Sequence, residues 1–159
     1  MTFTANGEHL VGGGYEDVQV WRVKDGKRVA TMKVEDGVWS VIVSKDGRFI
    51  AAGSNSDVFV WDATIYKQIF VSHVQCKWMA LGRQFPAGLD STRLVSANGD
   101  QETAMIWDIP ACRKVRTLDH GESAVAAKYS PQGDRIATAS EKSIKVRNSE
   151  DGRLLVNVK

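Results

Sequence analysis

The chain has 159 residues, of which 43% are hydrophobic and 25% are charged, and its formal net charge is +2. This composition is that of a soluble globular protein, and no apolar stretch is long enough to cross a bilayer. A charge so near neutrality does not favour nucleic acid or a membrane surface as the main partner. The two cysteines, Cys76 and Cys112, are too far apart to build a zinc site, and two lone thiols indicate a reducing, intracellular compartment.

A segment of fifteen residues recurs along the chain without internal gaps. It reads GEHLVGGGYEDVQVW at 7–21, GRFIAAGSNSDVFVW at 47–61 and GDRIATASEKSIKVR at 133–147. A looser copy, RLVSANGDQETAMIW, lies at 93–107. The first two copies start 40 residues apart. A period near 40 that holds short strands predicts a repeat architecture in which neighbouring units bury one another.

The first two units predict the same order of four strands, named a, b, c and d. In the second unit the expected strands are 38–43, 49–52, 58–62 and 68–71. The dipeptide Asp46-Gly47 is a strong hairpin signal between strands a and b. The first unit has only the end of strand a, at Phe3-Thr4, before its own Asn6-Gly7 turn.

The third unit departs from this plan between strands a and b. Pro86 and Gly88 disfavour a helix there, so we interpret Gln84 to Thr92 as an enlarged surface loop, with Phe85 as a candidate anchor for a partner. The fourth unit is regular and ends in a strand d at 154–158. No stretch of the chain shows sustained helical periodicity.

These patterns predict an all-β chain of four antiparallel, four-stranded blades in an open or partial ring, the first blade lacking most of strand a. The whole chain forms one repeat region, with blades at about 1–34, 35–73, 74–119 and 120–159. Strand c is apolar at nearly every position, as expected when both faces of a blade are covered. Trp39 and Trp78 share a column in phase with Val41, which favours a place in the core between blades.

Strand c carries the residues that resemble a known family. VQVWR at 18–22, VFVWD at 58–62 and MIWD at 105–108 are similar to the Trp-Asp signature that closes each repeat of the WD-repeat (WD40) β-propeller family. The small residues of strand b and the segment YSPQG at 129–133 fit the same family. The resemblance covers nearly the whole chain, as four degenerate repeats of a partial propeller.

The resemblance also implies structural roles for the Trp column and for a histidine between blades. In the family this His hydrogen-bonds a Ser or Thr of strand b and an Asp of the b–c turn, in a set that includes the Trp. Here the turn Asp is missing from its column, so we expect an incomplete polar network in every blade and marginal blade stability. The residues with these structural roles are Trp21, Trp61, Trp107, His73 and His120.

The fourth unit has Arg147 in the Trp column and Lys145 two residues before it. A capped open end would require such a replacement, and mutational decay would also produce it. Burying two unpaired charges costs several kcal/mol. We therefore expect this face not to accept an identical fifth blade.

No catalytic, cofactor or metal site is predicted. The sequence has neither a GxSxG elbow nor a GxxxxGK[ST] phosphate loop. The cluster Gly12-Gly13-Gly14 ends a strand and precedes no helix, so it is interpreted as close packing or a flexible turn. Residues 111–159 carry an excess of basic side chains but few interleaved aromatic ones, so nucleic-acid binding is not expected.

The resemblance implies a non-catalytic scaffold for protein–protein interaction, since this family often binds peptides or domains on the rim that carries the d–a and b–c connections. The expected partners are other proteins or peptides, with self-association to complete a ring as a further option, and no membrane. The alternative is a fragment of a larger propeller, such as the regulatory repeats of a signalling NTPase, without independent function. The first residues lack a secretory leader, so we expect an intracellular location, cytoplasmic rather than nuclear. The candidate rim residues are Tyr15, Glu35, Asp36, Asn55, Gln75, Lys77, Asn98, Glu122 and Lys142.

Overall fold

The computed structural model describes residues 1–54, 57–72, 84–89, 92–98 and 101–159, and for 84–89 it describes the backbone only. Within these ranges the regular secondary structure is entirely β-strand, and the strands form four antiparallel sheets of four strands each. The described ranges contain no helix long and apolar enough to cross a membrane. The prediction of an all-β chain of four blades is therefore confirmed.

Each blade takes four consecutive strands, which correspond to a, b, c and d. The first blade contains β1 (Thr2–Phe3), β2 (His9–Gly13), β3 (Asp17–Arg22) and β4 (Arg28–Lys33). The second contains β5 (Ser40–Val43), β6 (Phe49–Gly53), β7 (Val58–Asp62) and β8 (Gln68–Val71). The third contains β9 (Gln84–Leu89), β10 (Arg93–Asn98), β11 (Thr103–Asp108) and β12 (Arg113–Asp119). The fourth contains β13 (Ala126–Tyr129), β14 (Arg135–Ala139), β15 (Ile144–Asn148) and β16 (Leu154–Val158).

The a–b hairpin turns of the second and fourth blades share one backbone conformation. Gly47 and Gly133 have φ angles of +73° and +77°, a backbone conformation that side chains with a Cβ rarely adopt. Strands b and c pair in the same register in all four blades, so the residue in the Trp column lies opposite an apolar residue of strand b. These pairs are Leu10–Trp21, Ile50–Trp61, Leu94–Trp107 and Ile136–Arg147.

The interpretation of Gln84 to Thr92 as a surface loop was wrong. Residues 84–89 form β9, which pairs with β10 and places Pro86 opposite Ser96. The ladder contains a bulge at this point, because Val95 pairs with Gly88 and Ala87 is skipped. β9 is the edge strand of its sheet, where a residue without an N–H group is tolerated. The side chain of Phe85, the candidate anchor, lies outside the described part of the chain.

Each blade has two faces, and the core lies between blades. We define the leading face as the one that carries the Trp column and the trailing face as the opposite one. Trp61, which is 2% exposed, clusters with Val11 and Val18 of the first blade. Trp107 lies with its ring centroid 5.7 Å from that of Phe70 in the second blade. The leading face of a blade therefore packs on the trailing face of the preceding blade.

The third junction follows the same direction and corrects the prediction about Arg147 and Lys145. Ile136, which pairs with Arg147 on the leading face, is buried against Val95 and Ile106 of the third blade. Arg147 Nη2 donates to the carbonyl oxygen of Asp119, and Lys145 Nζ donates to that of His120 at 2.5 Å. The two cations therefore lie inside a junction, where backbone carbonyls accept their hydrogen bonds, and they do not cap an open end.

The four blades follow one another around an axis without closing into a ring. The innermost strands meet in chain order, since β1 contacts β5, β5 contacts β9 and β9 contacts β13. In this structure two faces of the array are not covered by another blade, the leading face of the first blade and the trailing face of the fourth. The prediction of an open or partial ring is confirmed.

Candidate protein-interaction rim

The b–c turns and the connections between blades lie on one edge of the array and are joined by backbone hydrogen bonds. At the first junction, Val34 N donates to Glu16 O at 3.1 Å and Val38 N donates to Gly14 O at 3.0 Å. At the third junction, His120 N donates to Glu102 O at 2.8 Å. The name "rim" is used below for the described residues 14–16, 34–39, 101–102, 120–125 and 140–143.

The structure places five of the predicted candidates on this rim. Tyr15 is 82% exposed in the first b–c turn. Glu35 is exposed and Asp36 is half-buried in the neighbouring connection. Glu122 and Lys142 lie in the third connection and the fourth b–c turn. The remaining candidates Asn55, Gln75 and Lys77, together with His73, lie outside the described residues.

Asn98 was predicted on the surface of the rim, and this prediction was wrong. It is the last residue of β10 and is 1% exposed. Its Oδ1 accepts a hydrogen bond from Gln101 N at 3.3 Å, so the side chain holds the b–c turn from inside. Strand b of the third unit extends to Asn98, so this residue belongs to the strand and not to the surface of the turn.

Trp39 was predicted in the core between blades, and this prediction was also wrong. The side chain is 44% exposed, because β5 begins only at Ser40 and Trp39 still belongs to the connection. Trp78, which shares its column, lies outside the described residues. Trp39 therefore adds a second exposed aromatic side chain to the rim beside Tyr15. Strand a was expected to begin at Val38 but begins at Ser40, so the sequence did not predict Trp39 as a rim residue.

A cleft of about 280 Å³ opens between the third connection and the b–c turns of the third and fourth blades. Ser140 Oγ donates to Glu122 Oε2 at 2.5 Å across the cleft. This hydrogen bond lowers the pKa of the Glu122 carboxyl below its ordinary value, so the group carries a full negative charge at neutral pH. The lining residues are Glu102, Gly121, Glu122, Ser123, Ser140, Glu141 and Lys142.

His120 is buried near this cleft, with 1% of its surface exposed. Its Nδ1 lies 2.9 Å from Thr138 Oγ1, and its Nε2 lies 3.3 Å from Ser143 Oγ. Burial lowers the pKa of the imidazole, and the neighbouring Lys145 acts in the same direction, so the ring is neutral at pH 7. The Asp expected from the family pattern is absent, but the hydroxyl of Ser143 takes its place. Each ring nitrogen of His120 therefore lies within hydrogen-bond distance of a hydroxyl group inside the fold.

The third blade keeps a different part of the same network. Trp107 Nε1 donates to Ser96 Oγ at 2.9 Å inside the blade. In the first two blades the position of Ser96 is taken by Gly12 and Ala52, which have no hydroxyl group. Among the described residues, the third and fourth blades thus hold different parts of the network.

The rim offers charge and aromatic surface, and no metal centre. Among the residues that the structure describes, no group of three His, Cys, Asp or Glu side chains is arranged to hold a metal ion. Acids outnumber bases on the described rim, where Lys142 is the one Lys or Arg. The rim acids are Glu16, Glu35, Asp36, Glu102, Glu122 and Glu141.

Radially stacked, four-stranded antiparallel blades joined in chain order define a protein of the β-propeller class. The family model "WD domain, G-beta repeat" matches residues 26–62 and 112–148, each match running from a c–d turn to the end of the next strand c. The chain therefore contains WD repeats at these two sites.

Solved structures show the same fold. The chain superposes on the structure described as "Structure of U3-55K" with a TM-score of 0.79 and 16% identity, covering 97% of this chain and 49% of that one. It superposes on "Crystal structure of RRP9 WD40 repeats" with a TM-score of 0.79 and 17% identity, covering 98% and 49%. The chain thus spans about half the length of these structures. A comparison with curated protein sequences gave no match.

Proposed function

We propose that this chain is a non-catalytic scaffold that binds a protein partner on the rim. The observation that carries the proposal is the pair of exposed aromatic side chains, Tyr15 and Trp39, in two segments joined by backbone hydrogen bonds. Tyrosine and tryptophan dominate the binding energy of many protein interfaces. Their exposure on two hydrogen-bonded segments of the rim suits a docking surface for another protein.

The charge of the rim favours a basic segment of the partner. Glu35 and Asp36 stand in the same connection as Trp39, and the third connection contributes Glu122. Complementary charge speeds encounter and rejects partners of the wrong sign. A peptide with one apolar anchor flanked by Lys or Arg matches this arrangement. Such partners are met inside the cell, in line with the expected location.

An array of short peptides, graded in charge from basic to acidic around one aromatic or aliphatic residue, tests this proposal. We expect basic peptides to bind, and we expect Tyr15→Ala, Trp39→Ala and Glu35→Lys each to weaken their binding in fluorescence anisotropy. The matched controls are Ile65→Ala and Glu150→Lys, which change an exposed apolar and an acidic residue at the c–d turns of the opposite rim. Equal binding by rim and control variants would remove the proposal.

A second candidate is that the chain acts only as part of a larger propeller. It is supported by the two uncovered faces and by the coverage of about half of each matched structure. The isolated chain would then unfold without cooperativity or expose enough apolar surface to bind a hydrophobic dye. A sharp, two-state unfolding transition of the purified chain contradicts this candidate.

A further inference from the structure

The trailing face of the fourth blade is apolar and exposed. Ile144, Val156 and Val158 are 48%, 48% and 52% exposed on its outer strands. Cross-strand pairing places all three on one side of the sheet, since Ile144 lies opposite Val158 and Val146 lies opposite Val156. Apolar residues gathered on one sheet face, as opposed to scattered singly, mark a surface that is covered in use.

At the internal junctions, the residues at the same register positions are buried against the next blade. In the second blade, Val60 and Phe70 stand where the fourth has Val146 and Val156, and they are 0% and 7% exposed. The aromatic contact of Phe70 is with Trp107, on the leading face of the following blade. The trailing face of the fourth blade therefore has the pattern of a surface that receives a Trp column.

A Trp column without a cover stands at the other end of the same chain. Trp21 is only partly buried, whereas Trp61 and Trp107 are 2% and 5% exposed. In this structure no blade packs on the leading face that carries Trp21. Phe3, which pairs with Leu10 on the same leading face, is 59% exposed. The leading face of the first blade and the trailing face of the fourth blade thus have the patterns of two faces that pack together at a junction.

We propose that two copies of this chain bind head to tail, the trailing face of the fourth blade in each copy covering the leading face of the first blade in the other. A two-fold rotation about the ring axis makes both junctions at once and leaves neither face open. By equivalence with Phe70 and Trp107, Val156 of one copy lies against Trp21 of the other.

The two cations of the fourth blade do not obstruct this junction, because Lys145 and Arg147 lie on the leading face of that blade, inside each copy. The leading face of the first blade also carries Asp17, Gln19, Thr31 and Lys33, and the Gln19 amide donates to the Asp17 carboxylate at 3.0 Å. On the trailing face of the fourth blade, Lys128 and Arg135 stand at the register positions of Ile42 and Phe49 in the second blade. The junction therefore joins apolar residues beside charged ones on both faces.

The first measurement is the solution mass of the purified chain by analytical ultracentrifugation. We expect a species of twice 17.5 kDa that does not grow further with concentration, because a closed ring leaves no face to extend. A monomer at all accessible concentrations overturns the proposal. So does an open-ended series of larger species, which a contact that fails to close would produce.

Single substitutions then show which faces of the blades form the dimer contact. Val156→Glu buries a carboxylate in the junction and should raise the dimer dissociation constant at least about tenfold. Ile65→Glu places the same charge on an exposed apolar residue of a c–d turn and should leave the dissociation constant unchanged. Circular dichroism confirms that each variant is folded, and Val158→Glu replaces Val156→Glu if the latter is not. Equal masses for the trailing-face and Ile65 variants contradict the proposal.

Mixing two variants tests the head-to-tail arrangement. Trp21→Arg should weaken the dimer on its own, as Val156→Glu does. In an equimolar mixture, one junction pairs the new Arg with the new Glu and the other junction is unaltered, so dimers should reappear. A dimer formed by two trailing faces would instead be unaffected by Trp21→Arg and would not be restored by mixing. Either of those two results overturns the proposal.

Discussion

Arg147 of the fourth blade donates a hydrogen bond to the carbonyl oxygen of Asp119, the last residue of the outer strand of the third blade. Its Nη1 also donates to Gly152 O at 3.3 Å within its own blade. The preceding blades have tryptophan in this column. The guanidinium replaces apolar burial by hydrogen bonds to carbonyl groups, so the fourth blade is joined to the third by polar as well as apolar contacts.

Replacing Arg147 with Met should destabilise the chain. The substitution keeps the length of the side chain but leaves the carbonyl of Asp119 without this donor, and loss of a hydrogen bond from a charged group costs about 1.5–3 kcal/mol. The measurement is the free energy of unfolding in urea. The control is Arg22→Met, because Arg22 is exposed and its ion pair with Asp25 at 2.9 Å is worth at most about 1 kcal/mol. Equal losses for the two variants would contradict this account of the junction.

Stability should fall when the pH is lowered below 6.5, the ordinary pKa of histidine. Because the pKa of buried His120 is lower in the folded state, the unfolded chain takes up a proton that the folded chain does not. The loss begins near pH 6.5, reaches at most about 1.4 kcal/mol per pH unit, and stops below the pKa of the folded state. Chemical unfolding at a series of pH values between 5 and 8 measures it.

The His120→Gln variant should show a flatter pH profile in this range, whatever its absolute stability. A His9→Gln variant, which changes a half-exposed ring in the first blade, should keep the decline of the parent chain. The attribution to His120 fails if both variants give the same profile.

Gly13→Ala should destabilise the first junction. A Cβ at Gly13 would lie 2.3 Å from Cγ1 and 2.7 Å from Cβ of Val38, so the connection to the second blade would have to move. Overpacking of this kind costs about 1–3 kcal/mol. Gly37→Ala is the matched control in the same connection, since its added methyl would have no neighbour nearer than 3.9 Å. Thermal unfolding should show a lower Tm for the first variant only, and a similar Tm for both would show that Val38 does not approach so closely.

The sequence was sufficient to predict the blades and their phase. The recurring Gly and Trp columns fix the hairpin register, and the pairs Leu10–Trp21 and Ile50–Trp61 show it directly. The sequence did not predict which face of a blade packs on the preceding blade. Alternating residues in a strand show which side chains share a face, but they do not show which neighbouring blade that face contacts. For this reason Arg147 was assigned to an open end although it lies at a junction.

Predictions of local structure were wrong where two physical tendencies compete. Pro86 and Gly88 indicate a loop by propensity, but an edge strand with a bulge accommodates both. Trp39 has the hydrophobicity and parity of a core residue, yet it precedes the first paired residue of its strand. The rim as a surface could be predicted from the order of turns and connections, whereas its exposed aromatic pair required the structure.

The most direct test of the stacked arrangement is a double-mutant cycle between Phe70 and Trp107, residues 37 positions apart whose rings meet at 5.7 Å across the second junction. The free energy of unfolding is measured for Phe70→Leu, Trp107→Phe and the double variant, with Phe70 and Trp21 as a control pair separated by a blade. The account predicts a coupling of about 0.5–1.5 kcal/mol for Phe70 with Trp107 and additive effects for the control pair. Additive effects for both pairs would contradict the packing of each leading face on the blade before it.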